Sequence, residues 1–553
     1  MTFLTVWDWL IIGAYFAGVA AVGVWSSRNQ KTSTDYFLAG RNIGWFAIGA
    51  SLFASNIGSE HLVGLAGSGA KSGVAMAHYE LHAWCLLVLG WVLVPFYTRS
   101  GVATMPEFLE RRYNPATRWI LSLVSLTAYV FTKVSVTVYA GGLVIQTLLP
   151  ELTLFGMSSF WVGAITVVLL TGAYTVFGGL RAVVYTDAMQ AMVLIAGSLC
   201  ITAIGLYQLG GWDELRALSG SERLNLWRPA SDPDFPWPGM LFAAPIVGLW
   251  YWCTDQYIVQ RTLAARNLKI ARRGTLFGAY LKITPVFLFI VPGMIAYALS
   301  KKNLLVLDSP DQAFPMLVQQ LLPTGLRGLV VGGLLAALMS SLSSLFNSCS
   351  TLFTLDIYKK IRPAASEREL VTTGRIATGA VVALGLLWIP VMSNISGALY
   401  EYLQSVQAYL APPMTAVFFL GVFWKRMNGP GAVAALGLGF ALGMAKLGCQ
   451  VYAGGFNPEQ LASLTGLPGL LTAFGSINFL LFCVYLFAFC CATLIVVSYR
   501  TAPPDAAQIS GLTYATVTAE GREELRASWN KWDVIHTCIV LGVILSVYIY
   551  FTG

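Results

Sequence analysis

The chain has 553 residues, 56% of them hydrophobic and only 11% charged, with 30 Phe, 24 Tyr and 17 Trp. A water-soluble globule carries about 25% charged residues, and a disordered chain carries far less apolar residue, so the composition points to a polytopic membrane protein. The net charge of +8 does not indicate a nucleic-acid partner, because the basic residues sit in short loops between apolar runs, where membrane orientation places them.

Windows of about twenty apolar residues predict fourteen helical spans, near 6–26, 43–66, 74–96, 118–148, 158–177, 183–207, 237–258, 274–299, 326–357, 372–393, 397–423, 430–452, 470–498 and 532–551. Runs this long favour helices over a barrel, whose strands alternate over about ten residues. The opening segment MTFLTVWDWL lacks the basic start of a cleavable signal, and the apolar run after it is long enough to span. Only 208–236 and 499–531 are long polar stretches, and no soluble domain fits between the spans. With the N-terminus outside, 24 of the 34 Lys and Arg fall in cytoplasmic loops and seven outside. That bias predicts this orientation, with both termini outside, in a plasma membrane or, for a bacterium, its inner membrane. The nine Cys are odd in number and mostly inside apolar runs, so no disulfide framework is expected.

A charge inside hydrocarbon costs at least about 2.5–3.5 kcal/mol, and eight fall in or near these spans: Glu60, Glu80, Lys133, Asp187, Asp255, Lys282, Asp356 and Lys446. Asp255, Asp356 and Lys446 lie near span ends and are read as buried pairs or snorkelling side chains. Glu80 and Lys282 lie deeper and are read as functional. The second span carries Ser55-Asn56-Ile57-Gly58-Ser59-Glu60-His61 at its centre, a helix-weak polar run predicted to unwind. Freed carbonyls at membrane depth are tolerated where they hold an ion or line a cavity. The span at 326–357 carries Ser340, Ser341, Ser343 and Ser344, hard oxygens that suit a small cation such as Na+. Each segment can equally be read as a small-residue packing seam. His61, His78 and His82 lack zinc-site spacing, and GSGAKSG at 67–73 follows no strand, so neither a metalloenzyme nor an ATP-driven pump is supported. No nucleophile–base pair suggests an enzyme.

These segments, with GVATMPEFLERRY (101–113), TGAYTVFGGLRAVVYTDAMQ (171–190), LWYWCTDQYIVQRTLAARN (249–267), GAYLKITPVFLFIVPGM (278–294) and YLQSVQAYLAPP (402–413), closely resemble the sodium/solute symporters, specifically the sodium/glucose cotransporter branch. The resemblance covers roughly residues 5–430. It implies an all-α, LeuT-type core of two inverted five-helix repeats, 43–207 and 237–423, joined by the external loop 208–236. One extra helix and its loop (1–42) precede the core and three helices (424–553) follow it. It implies a conserved sodium site made of carbonyls of Ala54, Ile57 and Ala337 with hydroxyls of Ser340 and Ser341. A second sodium site, found in some members, would involve Asp187 with Ser343 and Ser344. The implied sugar pocket is Asn56, His61, Glu80, Tyr251, Trp252, Lys282 and Gln404, and the implied gates are Leu65, Tyr79 and Tyr400 outside and Tyr251 inside. This chain departs from the animal pattern at Glu60, where a glycine is expected, and at His82, where an asparagine is expected.

The expected activity is therefore secondary active transport by alternating access. Inward Na+ movement would drive uptake of a glucose- or galactose-type hexose, with the lipid bilayer as the only obligatory partner. A myo-inositol or other organic-solute symporter, a Na+ channel and a sugar sensor remain as alternatives.

Overall fold

A computed structural model describes residues 4–28, 31–58, 60–392, 399–456 and 458–553. Among the described residues the chain is helical throughout, with no β-strand. This is what hydrocarbon demands, since helices satisfy every backbone polar group within one segment. Among the described residues, eleven helices are long and apolar enough to cross a bilayer, against the fourteen spans expected.

Three breaks and bends account for the difference. The predicted spans 158–177 and 183–207 run together as Ser159–Leu209, two helices joined directly at a kink at Gly179 with no intervening loop. Gly179 has φ +54°, and a Cβ there would lie 2.5 Å from the Tyr36 carbonyl, so only glycine fits the bend. The predicted span 43–66 stops at Asn56, the end of helix Trp45–Asn56. It resumes as a wide turn, Glu60–Leu65, that runs into Ala66–Ser72. The predicted span 237–258 is likewise two pieces, Trp237–Cys253 and Gln256–Leu263, parted at Thr254 and Asp255. The Asp255 carboxylate caps the second piece by accepting from the Tyr257 amide, as short acidic side chains do at helix starts. Near the C-terminus, the expected 470–498 also divides, into Gly466–Gly475 and Phe479–Arg500.

Backbone contact sets the spacing of the central helices. Gly69 faces the Ile290 carbonyl and Gly293 faces the Ala66 carbonyl, where an added Cβ would stand 2.4 and 2.0 Å away. The pair lets Ala66–Ser72 lie directly on Val291–Lys301, as small residues do between membrane helices. Gly293→Ala is expected to destabilise the protein by about 1–3 kcal/mol through overpacking against an immovable backbone. A lowered thermal midpoint in detergent checks this, and an unchanged midpoint refutes the contact.

The charges expected near span ends are held by partners. Arg118 donates to Asp356 at 2.7 Å and to Glu110 at 2.5 Å, and Lys360 reaches Glu110 at 2.6 Å. Lys446 donates to the Gly475 carbonyl at 2.6 Å, at the end of Gly466–Gly475. The 499–531 segment is ordered against the bundle. Gln508 donates to the Tyr113 carbonyl at 2.7 Å, and Tyr514 stacks on Phe423 at 5.2 Å.

Candidate functional site

The break after Asn56 leaves the first broken helix open at mid-length, and a cavity with about 420 Å³ of space, open mouth included, lies against it. Its walls include Asn56, His61, Glu80, Tyr251, Trp252, Lys282 and Gln404, all seven residues of the expected pocket. They come from chain segments hundreds of residues apart.

Electrostatics explains how two charges survive there. Lys282 Nζ donates to Glu80 Oε2 at 2.5 Å, and its ammonium lies 5.3 Å from the Trp252 ring centroid. His61 Nε2 stands 3.5 Å from Glu80 Oε1 and 3.4 Å from the Asn56 amide nitrogen. A buried pair of this kind holds only when each remaining polar atom finds a partner. Among the described residues, wall atoms buried without a hydrogen-bond partner include Gln404 Oε1, the Tyr79 hydroxyl and Glu60 Oε2. Such atoms cost about 1–3 kcal/mol each when unsatisfied, so they favour a ligand rich in hydroxyl groups.

The structure adds wall residues outside the expected pocket: Glu60, His82 and Gln407. Glu60 and His82 are the two departures already visible in the sequence. Gln407 follows Gln404 by one helical turn, a spacing that could have found it. Of the expected outer gate, Tyr79 lines the cavity, Leu65 is buried but does not line it, and the Tyr400 side chain lies outside the described residues.

The expected cation site also comes together across distant segments. Ser341 Oγ donates to the Ser55 carbonyl at 3.2 Å, which joins the serine helix Leu326–Thr351 to the last turn of Trp45–Asn56. That turn ends at the break: the Phe53 carbonyl still accepts from the Ile57 amide at 3.1 Å, and Ala54 is among the terminal residues whose carbonyls a continuing helix would pair. Ile57 lies in the break, and Ala337 is buried one turn before Ser341.

Asp187 is held differently from the grouping with Ser343 and Ser344. Its carboxylate accepts from Ser340 at 2.6 Å, Ser51 at 2.6 Å and Ser55 at 3.0 Å, and Arg261 Nη2 stands 3.9 Å away. Ser343 Oγ instead turns back to the Ser340 carbonyl at 2.9 Å, as serines inside helices often do. Ser344 Oγ meets Ser55 Oγ at 2.9 Å and the Arg261 guanidinium. Asp187 thus sits on Ser340, a residue of the conserved-site set. A serine that donates its proton to a carboxylate keeps its lone pairs for a cation.

The model of the sodium:solute symporter family matches residues 36–439. Sodium/glucose cotransporter 1 of Oryctolagus cuniculus is 41% identical over 539 residues, covering 90% of this chain and 80% of its own. Sodium/myo-inositol cotransporter 2 of Mus musculus is 41% identical over 545 residues, covering 92% and 79%. Among solved structures, the substrate-bound outward-open state of a Na+-coupled sialic acid symporter superposes with a TM-score of 0.74. It is 22% identical and covers 91% of this chain and 99% of its own, a likeness that shows the shared fold.

Proposed function

Because this chain belongs to the sodium:solute symporter family, and so is a multi-pass, sodium-coupled transporter, we propose that it carries a neutral polyhydroxylated solute, a hexose of the glucose or galactose type. The observation that carries the reading is the single cavity on which Asn56, His61, Glu80, Tyr251, Trp252, Lys282 and Gln404 converge. A hexose presents hydroxyls that both donate and accept, and these side chains offer carboxylate and amide acceptors beside ammonium and amide donors. Its apolar face has Tyr251 and Trp252 to pack against.

The Na+ that drives the cycle would sit between the end of Trp45–Asn56 and the serine helix, on Ala54, Ile57, Ala337, Ser340 and Ser341. Asp187 would supply compensating charge from behind Ser340. The core would divide into repeats at 43–207 and 237–423, with cytoplasmic loops on the Lys/Arg-rich side and both termini outside. Ion and solute each shift the balance of states only by binding one form more tightly than the other. One charge moved through 100 mV yields about 2.3 kcal/mol, and a tenfold Na+ gradient adds about 1.4 kcal/mol. Together they sustain roughly several-hundred-fold accumulation per ion.

A second reading, myo-inositol in place of a hexose, is favoured by the equal likeness to a sodium/myo-inositol cotransporter. Counterflow of radiolabelled glucose, galactose and myo-inositol in proteoliposomes decides between them. We expect Na+-dependent exchange of a hexose. Exchange of myo-inositol alone would replace the hexose, and equal exchange in choline would remove sodium coupling.

A further inference from the structure

Below the cavity lies a group the transport reading leaves unused. Lys133 is buried on the helix Pro115–Leu148, within a wide turn, Tyr129–Val134, that interrupts its regular winding. Turns of this kind re-aim side chains and recur at functional positions. The Lys133 ammonium donates to Asp255 Oδ2 at 2.7 Å. Four aromatic rings surround it, with centroids 5.2 Å (Tyr129), 5.1 Å (Trp250), 4.6 Å (Tyr251) and 4.7 Å (Tyr257) away. Each lies within the roughly 6 Å over which a cation is held by a ring face, and desolvation strengthens that hold.

Apart from Tyr129, on the same turn as Lys133, every contact of this cage named above belongs to the break in the second broken helix or its flanks. Trp250 and Tyr251 close the piece before the break, and Tyr257 opens the piece after it. Asp255 sits in the break itself and also accepts from the Tyr129 hydroxyl. The Tyr257 amide donates to that same hydroxyl at 3.2 Å.

Two of the four rings face the two working sites. Tyr251 lines the cavity. The Tyr257 hydroxyl donates to the Ser55 carbonyl, which also receives Ser341 Oγ at 3.2 Å. The two rings stand 6.0 Å apart, edge to face, with Lys133 against both. A continuous set of contacts therefore runs from Ser341 through the Ser55 carbonyl, Tyr257 and Lys133 to the wall of the cavity.

Resting on the sodium–sugar reading above, we propose that Lys133, seated on Asp255 within its four rings, is the positioning residue that couples the cation site to the solute cavity. A cation at the serine helix fixes the Ser55 carbonyl. That fixes Tyr257, and the ammonium shared by Tyr257 and Tyr251 carries the alignment to the ring on which the solute packs. Coupling of this kind is a free energy that both ligands feel equally.

The test is equilibrium binding of radiolabelled solute to purified protein, in Na+ and in choline. In the unaltered protein the affinity ratio between the two is expected within the usual coupling range of about 5–150-fold. Lys133→Met is expected to bind solute in choline as the unaltered protein does, with the ratio reduced to within about twofold of unity. Lys133→Arg, which keeps a cation in the cage, should restore most of the ratio, an effect packing alone would not give. Removing one member of a buried pair strands the other, so Lys133→Met combined with Asp255→Asn covers the case in which the single variant does not fold. It too should lose the ratio. An undiminished ratio in either variant overturns the role of Lys133. A ratio of unity in the unaltered protein would instead overturn the sodium–sugar reading itself.

Discussion

Replacing Glu80 with alanine is expected to abolish saturable hexose uptake at ordinary sugar concentrations. Glu80 is fully buried on the cavity wall, where one oxygen takes the Lys282 ammonium at 2.5 Å and the other faces His61 at 3.5 Å. Hydrogen bonds to a charged partner are worth about 1.5–3 kcal/mol each. Loss of two such bonds raises half-saturation by roughly a hundredfold or more. The same change leaves Lys282 buried without a counter-charge, at a cost of about 3–5 kcal/mol, so folding must be separated from binding. Glu80→Gln keeps the shape and two polar atoms, and Glu80→Ala with Lys282→Met removes both charges together. All three variants should lose uptake while the double variant stays inserted and monodisperse. Saturable uptake with normal half-saturation in the double variant would place the solute elsewhere.

The second large effect is expected on the ion. Asp187→Asn should raise the Na+ concentration for half-maximal uptake by at least about tenfold. A unit charge about 5 Å from a cation contributes about 3 kcal/mol at an effective dielectric near 20, and Asp187 faces the proposed site through Ser340 at 2.6 Å. Asparagine can still accept from one serine, but it no longer balances Arg261, which stands 3.9 Å away. Ser341→Ala removes one neutral oxygen and should give a smaller shift in the same direction. Uptake measured against Na+ at constant ionic strength reads both, and an unmoved Na+ dependence in Asp187→Asn takes the charge out of ion binding.

The pocket was legible because hydrocarbon makes polar residues conspicuous. Glu80 and Lys282 stood out as deep charges, and the run around Asn56 as a helix that could not continue. Resemblance to the family supplied Tyr251, Trp252 and Gln404, which polarity alone did not mark. Partnerships were less legible. Lys133 and Asp255 are 122 positions apart, and nothing local says that one meets the other. The same holds for Asp187, whose companions Ser51, Ser55 and Ser340 come from two other helices.

The second break was hidden for a different reason. Around Ser55 the chain advertises unwinding with serine, asparagine and glycine, whereas Cys253-Thr254-Asp255-Gln256 holds no glycine and follows a bulky apolar stretch, Leu249-Trp250-Tyr251-Trp252. The available signal was an aspartate able to start a new helix, and an apolar window of twenty residues passes over it. The bend at Gly179 was missed the opposite way. The expected spans 158–177 and 183–207 left room for a loop, whereas the two helices meet directly at a kink at Gly179.

The glycine contacts between Ala66–Ser72 and Val291–Lys301 constrain where this molecule can flex. Two backbones seated on each other at Gly69 and Gly293 leave no compressible side chain between them, and packed interiors yield little to strain. The two segments are effectively welded into one stiff lever. Rotation of the lever is taken up where the chain on its N-terminal side leaves regular winding, at residues 57–58. The pivot thus falls directly after Asn56, on the wall of the cavity.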